Sequence, residues 1–296
     1  MAATEPGWEL YRSFLGVLTE GSLSGAARAL GLAQPTVGRH VDALEQALGL
    51  ALFTRSQFGF QPTEAALALR PYADTLAATT AALLRTAASQ GDGVRGTVRI
   101  TASDVIGVEV LPPILAGLRE RHPDLVIELS LTNRITDLLR READIAVRML
   151  RPTQEALVAR RIGAVELGLH AQRAYLERHG TPASWAELGA HTLIGFDQET
   201  AFIRGMRKHL GGLRRESFAL RTDSDLAQLA AIRAGVGIGI CQVGLARRDG
   251  LVRLLPDRLS LELDTWVTLH EDLRDSPRCK VTFEALVAGL EGYVGG

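Results

Sequence analysis

Gln34, Thr36, Arg39 and His40 are spaced so that a helix would carry them off its apolar side, and each offers a donor, an acceptor or a charge. Such groups suit base-pair edges and phosphates. The apolar side is Val37, Val41, Leu44 and Leu48. Pro35 falls near the first turn, where a missing N–H costs little. Ser22 and Arg55 flank the group, Ser22 as both helix cap and contact, Arg55 within reach of a phosphate.

These residues need a scaffold, and the surrounding segments supply one. Leu23, Ala26, Ala27 and Leu30 form a second apolar stripe, small enough at the two alanines for a close helix crossing. Only Gly31-Leu32-Ala33 separates the two helical patterns, and Gly31 permits a left-handed turn. A short helix, a tight turn and a second amphipathic helix place one helix in a DNA groove. The alternative is an ordinary helical hairpin with a solvated face. The segment after Gly49 argues against that hairpin: Phe53-Thr54-Arg55 and Phe58-Gly59-Phe60 predict two short strands around a glycine turn, a wing. Thr63 and Glu64 then start a long helix reaching about residue 90, with a stripe of Leu69, Tyr72, Leu76, Leu83 and Ala87. The small domain alone cannot bury that stripe, so an antiparallel pairing of two subunits is expected. Pro71 should bend this rod, and Gly91-Asp92-Gly93 reads as a hinge.

Beyond the hinge, strands alternate with helices. Strands are predicted at 97–102, 125–131 and 144–149, and helices at 108–121, interrupted near Pro112-Pro113, and 135–142. Then come strand 166–170, helix 174–179, strands 192–196 and 217–222, helix 226–234, strands 237–241 and 266–270, and a final helix 281–293. The alternation predicts a mostly parallel sheet with helices on its faces. Ligands of such sheets bind beyond the carboxyl ends of strands. That rule selects Ser103, Asp104, Val105, Asn133, Arg134 and Arg148, and farther on Phe196, Asp223, Ser224 and Gln242. Each also has a structural reading: Ser103, Asp223 and Ser224 as helix caps, Arg148 as the partner of a carboxylate, Phe196 as core. Arg134 and Arg148 favour an anion, Asp104 and Asp223 oppose one. The expected ligand is a small polar molecule, with a zwitterion one option.

Composition sets limits. The 296 residues suffice for two or three domains, and 46% apolar content supports sizeable cores. A net charge of −1 is not that of a general nucleic-acid binder. Near the N-terminus Arg12, Arg28, Arg39 and Arg55 are offset by Glu5, Glu9, Glu20, Asp42 and Glu45. Binding must then rest on a few placed arginines doubled by dimerisation. No signal peptide or membrane-spanning run is read, so a cytoplasmic location without membrane partners is expected. Cys241 lies in an apolar run and Cys279 in a polar one, a setting that argues against a redox pair. The seven histidines are scattered without metal-ligand spacing, 235–239 lacks the GxGxxG pattern, and there is no GxSxG elbow. Neither cofactor, metal nor catalysis is expected.

Several runs appear together in order: Gly21-Ser22-Leu23, Ala26-Ala27, Gln34-Pro35, Arg39, Leu44-Glu45, Leu48-Gly49, Leu52-Phe53, Arg55 and Thr63-Glu64-Ala65. In this register the chain resembles the LysR-type transcriptional regulators, and the resemblance continues to the C-terminus. Gly38 stands where that family usually has serine, His40 where it has glutamine, Phe58 where a wing arginine is common, Ala66 where it has glycine, and Gln242 where proline is common. The resemblance implies a multidomain chain mixing α+β and α/β parts. Residues 1–62 would form a winged helix-turn-helix domain, 63–90 a linker and dimerisation helix, and 91–296 a two-lobed effector domain like the periplasmic binding proteins. Lobe one would cover about 97–161 and 266–296, lobe two about 162–265. The family's effector contacts correspond to the Ser103 region, the loop after the second strand, and the second-lobe strand ends. The expected partners are double-stranded promoter or operator DNA, a small-molecule effector, a second copy or three more, and RNA polymerase. Two rival functions are a ligand-independent architectural repressor and an enzyme with an appended DNA-binding domain.

Overall fold

The computed structural model describes residues 5–56, 59–88, 93–133, 143–152, 157–206 and 210–295. The described chain divides into two compact units, one ending at Ala88 and one formed from the rest.

In the first unit three helices, α1 (Trp8–Glu20), α2 (Leu23–Leu30) and α3 (Gln34–Leu48), precede a two-stranded wing, β1 (Phe53–Ser56) and β2 (Gly59–Pro62), and a long helix, α4 (Glu64–Ala88). The Ser22 hydroxyl caps α2 by accepting from Gly25 N at 3.0 Å. Gly31 closes α2 at φ +67°, a conformation that costs an L side chain strain. The apolar stripes meet as expected: Ala26, Ala27, Val37, Val41 and Leu44 are buried with Phe14, Val17 and Leu52, while Leu48 is half-buried. Glu45 Oε1 accepts from Leu52 N (2.6 Å) and Phe53 N (3.1 Å), tying the end of α3 to the start of the wing. Thr63 caps α4, accepting from Ala66 N at 3.2 Å and donating to Ala51 O at 2.8 Å. Helix α4 runs through Pro71 as one 25-residue element, and Thr75 Oγ1 donates to the Pro71 carbonyl at 2.9 Å. Its Leu67, Tyr72, Leu76, Leu83 and Leu84 are exposed, Tyr72 by 73%.

The strands of the second unit are β3 (Gly96–Ala102), β4 (Leu125–Leu131), β5 (Ile145–Arg148), β6 (Leu157–Ala171), β7 (Ile194–Gly195), β8 (Leu220–Arg221), β9 (Gly239–Gln242), β10 (Val252–Leu254) and β11 (Leu261–His270). Seven of them form one sheet in the order β10-β6-β11-β5-β3-β4, with β9 also paired to β6, while β7 and β8 make a separate parallel pair. A mostly parallel sheet was expected, but in the large sheet only β4, β3 and β5 run parallel; β11, β6, β9 and β10 join antiparallel. The reason is that β6 and β11, predicted as five-residue strands, are 15 and 10 residues long and cross from one half of the unit to the other. Periodicity finds only the buried part of such a strand: the first half of β6 is half-exposed or exposed, its end buried.

The helices are α5 (Leu111–Arg121), α6 (Arg173–His179), α7 (Ala201–Met206), α8 (Asp225–Arg233), α9 (Val243–Arg248) and α10 (Pro277–Gly295). The interruption predicted at Pro112-Pro113 lies upstream instead, as a π-turn at Ile106–Val110; the prolines sit in the first turn of α5, where they break nothing. The predicted helix 135–142 lies outside the described residues. One apolar cluster joins Ile100, Leu111, Val147 and Leu286 to Leu229, Ile232 and Leu245, so the core runs on from β3 and β5 to α8 and α9. A second cluster, around Leu169, Tyr175, Phe196 and Phe218, forms the distal core.

Candidate functional site

On α3, Gln34, Pro35 and Arg39 are exposed and Thr36 is half-buried. Ala33, before the helix, offers no side-chain cap, so the positive end of α3 faces outward beside Gln34 and Thr36. Arg39 Nη2 reaches Thr36 Oγ1 at 3.4 Å and is otherwise directed to solvent. His40 does not simply face outward: its Nδ1 lies 2.8 Å from the buried Ser13 Oγ of α1. Ser22, half-buried, spends its hydroxyl on the α2 cap. Arg55 pairs with Phe60 in the wing ladder; its side chain lies outside the described ones, as does Phe58. The wing is fixed to the helical corner by Phe60 N donating to Gly21 O at 3.2 Å. The unit thus presents a helix end, an arginine and a wing strand on a braced frame.

In the second unit, Ala102 and Val147 pair across β3 and β5, which sets Ser103 and Arg148 side by side at the carboxyl edge. The Ser103 carbonyl accepts from Gly107 N at 2.8 Å, and Val105 packs half-buried against the core. Arg148 is buried, with Nη2 donating to Thr101 Oγ1 at 2.8 Å and Nη1 to Val147 O at 3.1 Å. Asn133, just past β4, accepts from Asp104 N at 3.1 Å and donates to Asp104 Oδ2 and Asp225 Oδ2, both at 3.2 Å. One amide therefore bridges two carboxylates 121 positions apart in the chain (225 minus 104). Desolvation among these groups, and then the Asp104 charge, push the Asp225 carboxyl above its ordinary range. Asp225 was not selected from sequence, though its place directly after a helix-capping serine was a usable signal.

Four selected residues make contacts within the protein. Phe196 is core, packed edge-on against Phe218 with centroids 5.0 Å apart. Asp223 Oδ1 clamps a loop by accepting from Asp197 N (2.9 Å) and Gln198 N (2.8 Å). Ser224 caps α8, accepting from Ala227 N at 3.3 Å. Gln242 is buried, and its Oε1 accepts from Tyr293 OH of α10 at 2.5 Å. Strand ends and turns need caps and clamps as much as ligands do, so the positional rule selects both kinds. Arg134 lies outside the described residues.

Sequence reasoning missed an ion cluster at the π-turn that follows Ser103–Val105. Glu109 Oε1 meets Arg233 Nη1 at 2.8 Å and its other oxygen meets Arg248, while Asp249 receives Arg233 at 2.6 Å and Arg248 at 2.9 Å. Arg233 first, and Arg248 with it, hold the Glu109 carboxyl down at about 2 against burial. The cluster ties the π-turn to the ends of α8 and α9. Both cysteines are buried, Cys279 included despite its polar neighbours in sequence. Burial pushes the Cys241 thiol up to about 12 and His170, 3.4 Å away, down to about 4, so both are neutral at pH 7. Among the described residues no group of side chains could hold a metal ion, and no helix is long and apolar enough to cross a membrane.

Comparison with known proteins agrees with this layout. Residues 91–291 match the LysR substrate binding domain, and residues 8–67 match the family described as bacterial regulatory helix-turn-helix protein, lysR family. An HTH-type transcriptional regulator of Xanthomonas campestris pv. campestris is 31% identical over 181 residues, which are 61% of this chain and about half (53%) of that relative. The probable HTH-type transcriptional regulator LtrA of Klebsiella pneumoniae is 24% identical over 250 residues, 82% of this chain and 81% of its own length. The structure of full-length CbnR complexed with its target DNA superposes with a TM-score of 0.66 at 20% identity, covering 96% of this chain and 99% of CbnR, which shows the shared fold. The chain belongs to the LysR-type transcriptional regulators, with that family's DNA-binding helix-turn-helix domain followed by its two-lobed effector-binding domain.

Proposed function

We propose that this chain is a sequence-specific regulator that inserts α3 into the major groove of operator DNA and answers to a small ligand in the crevice at Ser103, Asp104, Asn133 and Arg148. One observation carries the first half: Gln34, Pro35 and Arg39 stay exposed on an uncapped helix end while the rest of the domain is braced from behind. Arg39 reads a base edge or grips a phosphate, Gln34 and Thr36 flank it, and Arg55 touches the backbone from the wing. The solved complex of CbnR, which shares this fold, with its target DNA supports DNA binding.

Oligomers, dimeric or tetrameric, form through the exposed Leu67, Tyr72, Leu76 and Leu83 of α4. In the crevice, buried Arg148 and the Asp104–Asp225 pair set opposite charges, which suits a small zwitterion. Its binding shifts the two lobes, and the spacing of reading helices along the operator changes with them. RNA polymerase is the downstream partner, the cytoplasm the location, and no reaction is catalysed. Duplex selection from a random pool tests this. The 296-residue chain should enrich one inverted repeat, and Arg39→Ala should lower affinity for it by about ten- to a hundredfold with an unchanged melting temperature. Intact operator binding by Arg39→Ala would refute the placement of α3.

A further inference from the structure

Ser13 lies within α1 and is fully buried, and its hydroxyl makes one side-chain hydrogen bond, to His40 Nδ1 at 2.8 Å. Among the described residues nothing else accepts the Ser13 proton. A buried hydroxyl without an acceptor is costly, so the economical arrangement has Ser13 Oγ–H donating to Nδ1. The neutral imidazole then keeps its hydrogen on Nε2. That nitrogen has no protein partner among the described residues and is reached by solvent. His40 is thus anchored inward on one nitrogen while it presents a donor from the second turn of α3.

We infer that Ser13 is a positioning residue for base reading, holding His40 as a fixed donor that selects a purine N7 in the major groove. The inference rests on α3 being the reading helix. A glutamine at this position would offer a donor and an acceptor on a freely turning amide; the anchored imidazole offers one donor in one orientation. The opposite tautomer would present an acceptor and select an adenine or cytosine amino group instead.

The probe is the duplex enriched by the 296-residue chain from a random pool, resynthesised with 7-deazapurine at each purine in turn. Wild-type affinity should fall about tenfold at one symmetry-related position, and His40→Ala should abolish that sensitivity while other positions keep theirs. Ser13→Ala should blunt the same sensitivity about threefold and add nothing in the His40→Ala background. A thermal melt of Ser13→Ala, which keeps the core volume nearly unchanged, shows that the domain is folded. Tolerance of 7-deazapurine at every position would overturn the inference. So would a uniform loss across all duplexes with a smaller salt slope, which marks a phosphate contact, or additive effects of the two variants. Failure to enrich any duplex would overturn the DNA-reading assignment itself, and is distinguished by the absence of a probe.

Discussion

The two units use their polar side chains in opposite ways. In the first, the candidates on α3 stay largely open, because the bracing is done by others: Glu45 holds the wing, Thr63 caps α4, Ser13 anchors His40. In the second, most residues chosen at strand ends are already satisfied inside the protein, as with Gln242 on Tyr293 and Asp223 on its loop. A reading surface must offer unmet donors to its target, whereas a crevice shares its edge with the turns that build it. An exposed polar residue on a braced helix is therefore a stronger sign of function than one at a strand end.

Three substitutions sharpen this contrast. The largest effect belongs to Glu109→Gln, which strips one carboxylate from two arginines and should cost on the order of 2 kcal/mol at pH 7 in a urea melt. The folded carboxyl titrates at about 2, below its ordinary 4.5, so its contribution is fully present above pH 4.5 and fades as pH falls toward 2. The gap between wild type and variant should close over that range; a constant gap would mean the charge is not the cause. Next comes Gln242→Ala, which leaves the half-buried Tyr293 hydroxyl without its acceptor and should cost about 1 kcal/mol. Lost ligand binding at unchanged stability would return Gln242 to the crevice. The smallest effect has the opposite sign. A methyl on Gly38 would meet only Leu23 Cδ1, at 3.7 Å, so Gly38→Ala should stabilise α3 by about 0.8 kcal/mol. A fall in melting temperature would show that the glycine is needed there.

The winged helix-turn-helix was legible because its signals are local. Ser22, Gly31, Pro35 and Thr63 mark helix ends within a few residues of the stripes they bound, and each sits where those marks place it. In the second unit the strand–helix alternation was legible, but the lengths of β6 and β11 were not, since the first half of β6 carries no burial pattern and the buried positions of β11 concentrate toward its end. The candidate ligand site was half legible. Backbone register brings Ser103 beside Arg148 as the strand-end rule requires, yet Asp225 joins Asp104 only through Asn133.

By itself the sequence determined the helix ends, the apolar stripes and the family, because capping, left-handed turns and periodicity act over one or two turns of chain. Tertiary structure alone decided which polar groups remain available. Ser13 meets His40 across 27 residues and Arg233 meets Glu109 across 124, and pairing at such separations depends on where the backbone is carried. A hydrogen bond is a matter of a few tenths of an ångström, and no one-dimensional pattern encodes that distance.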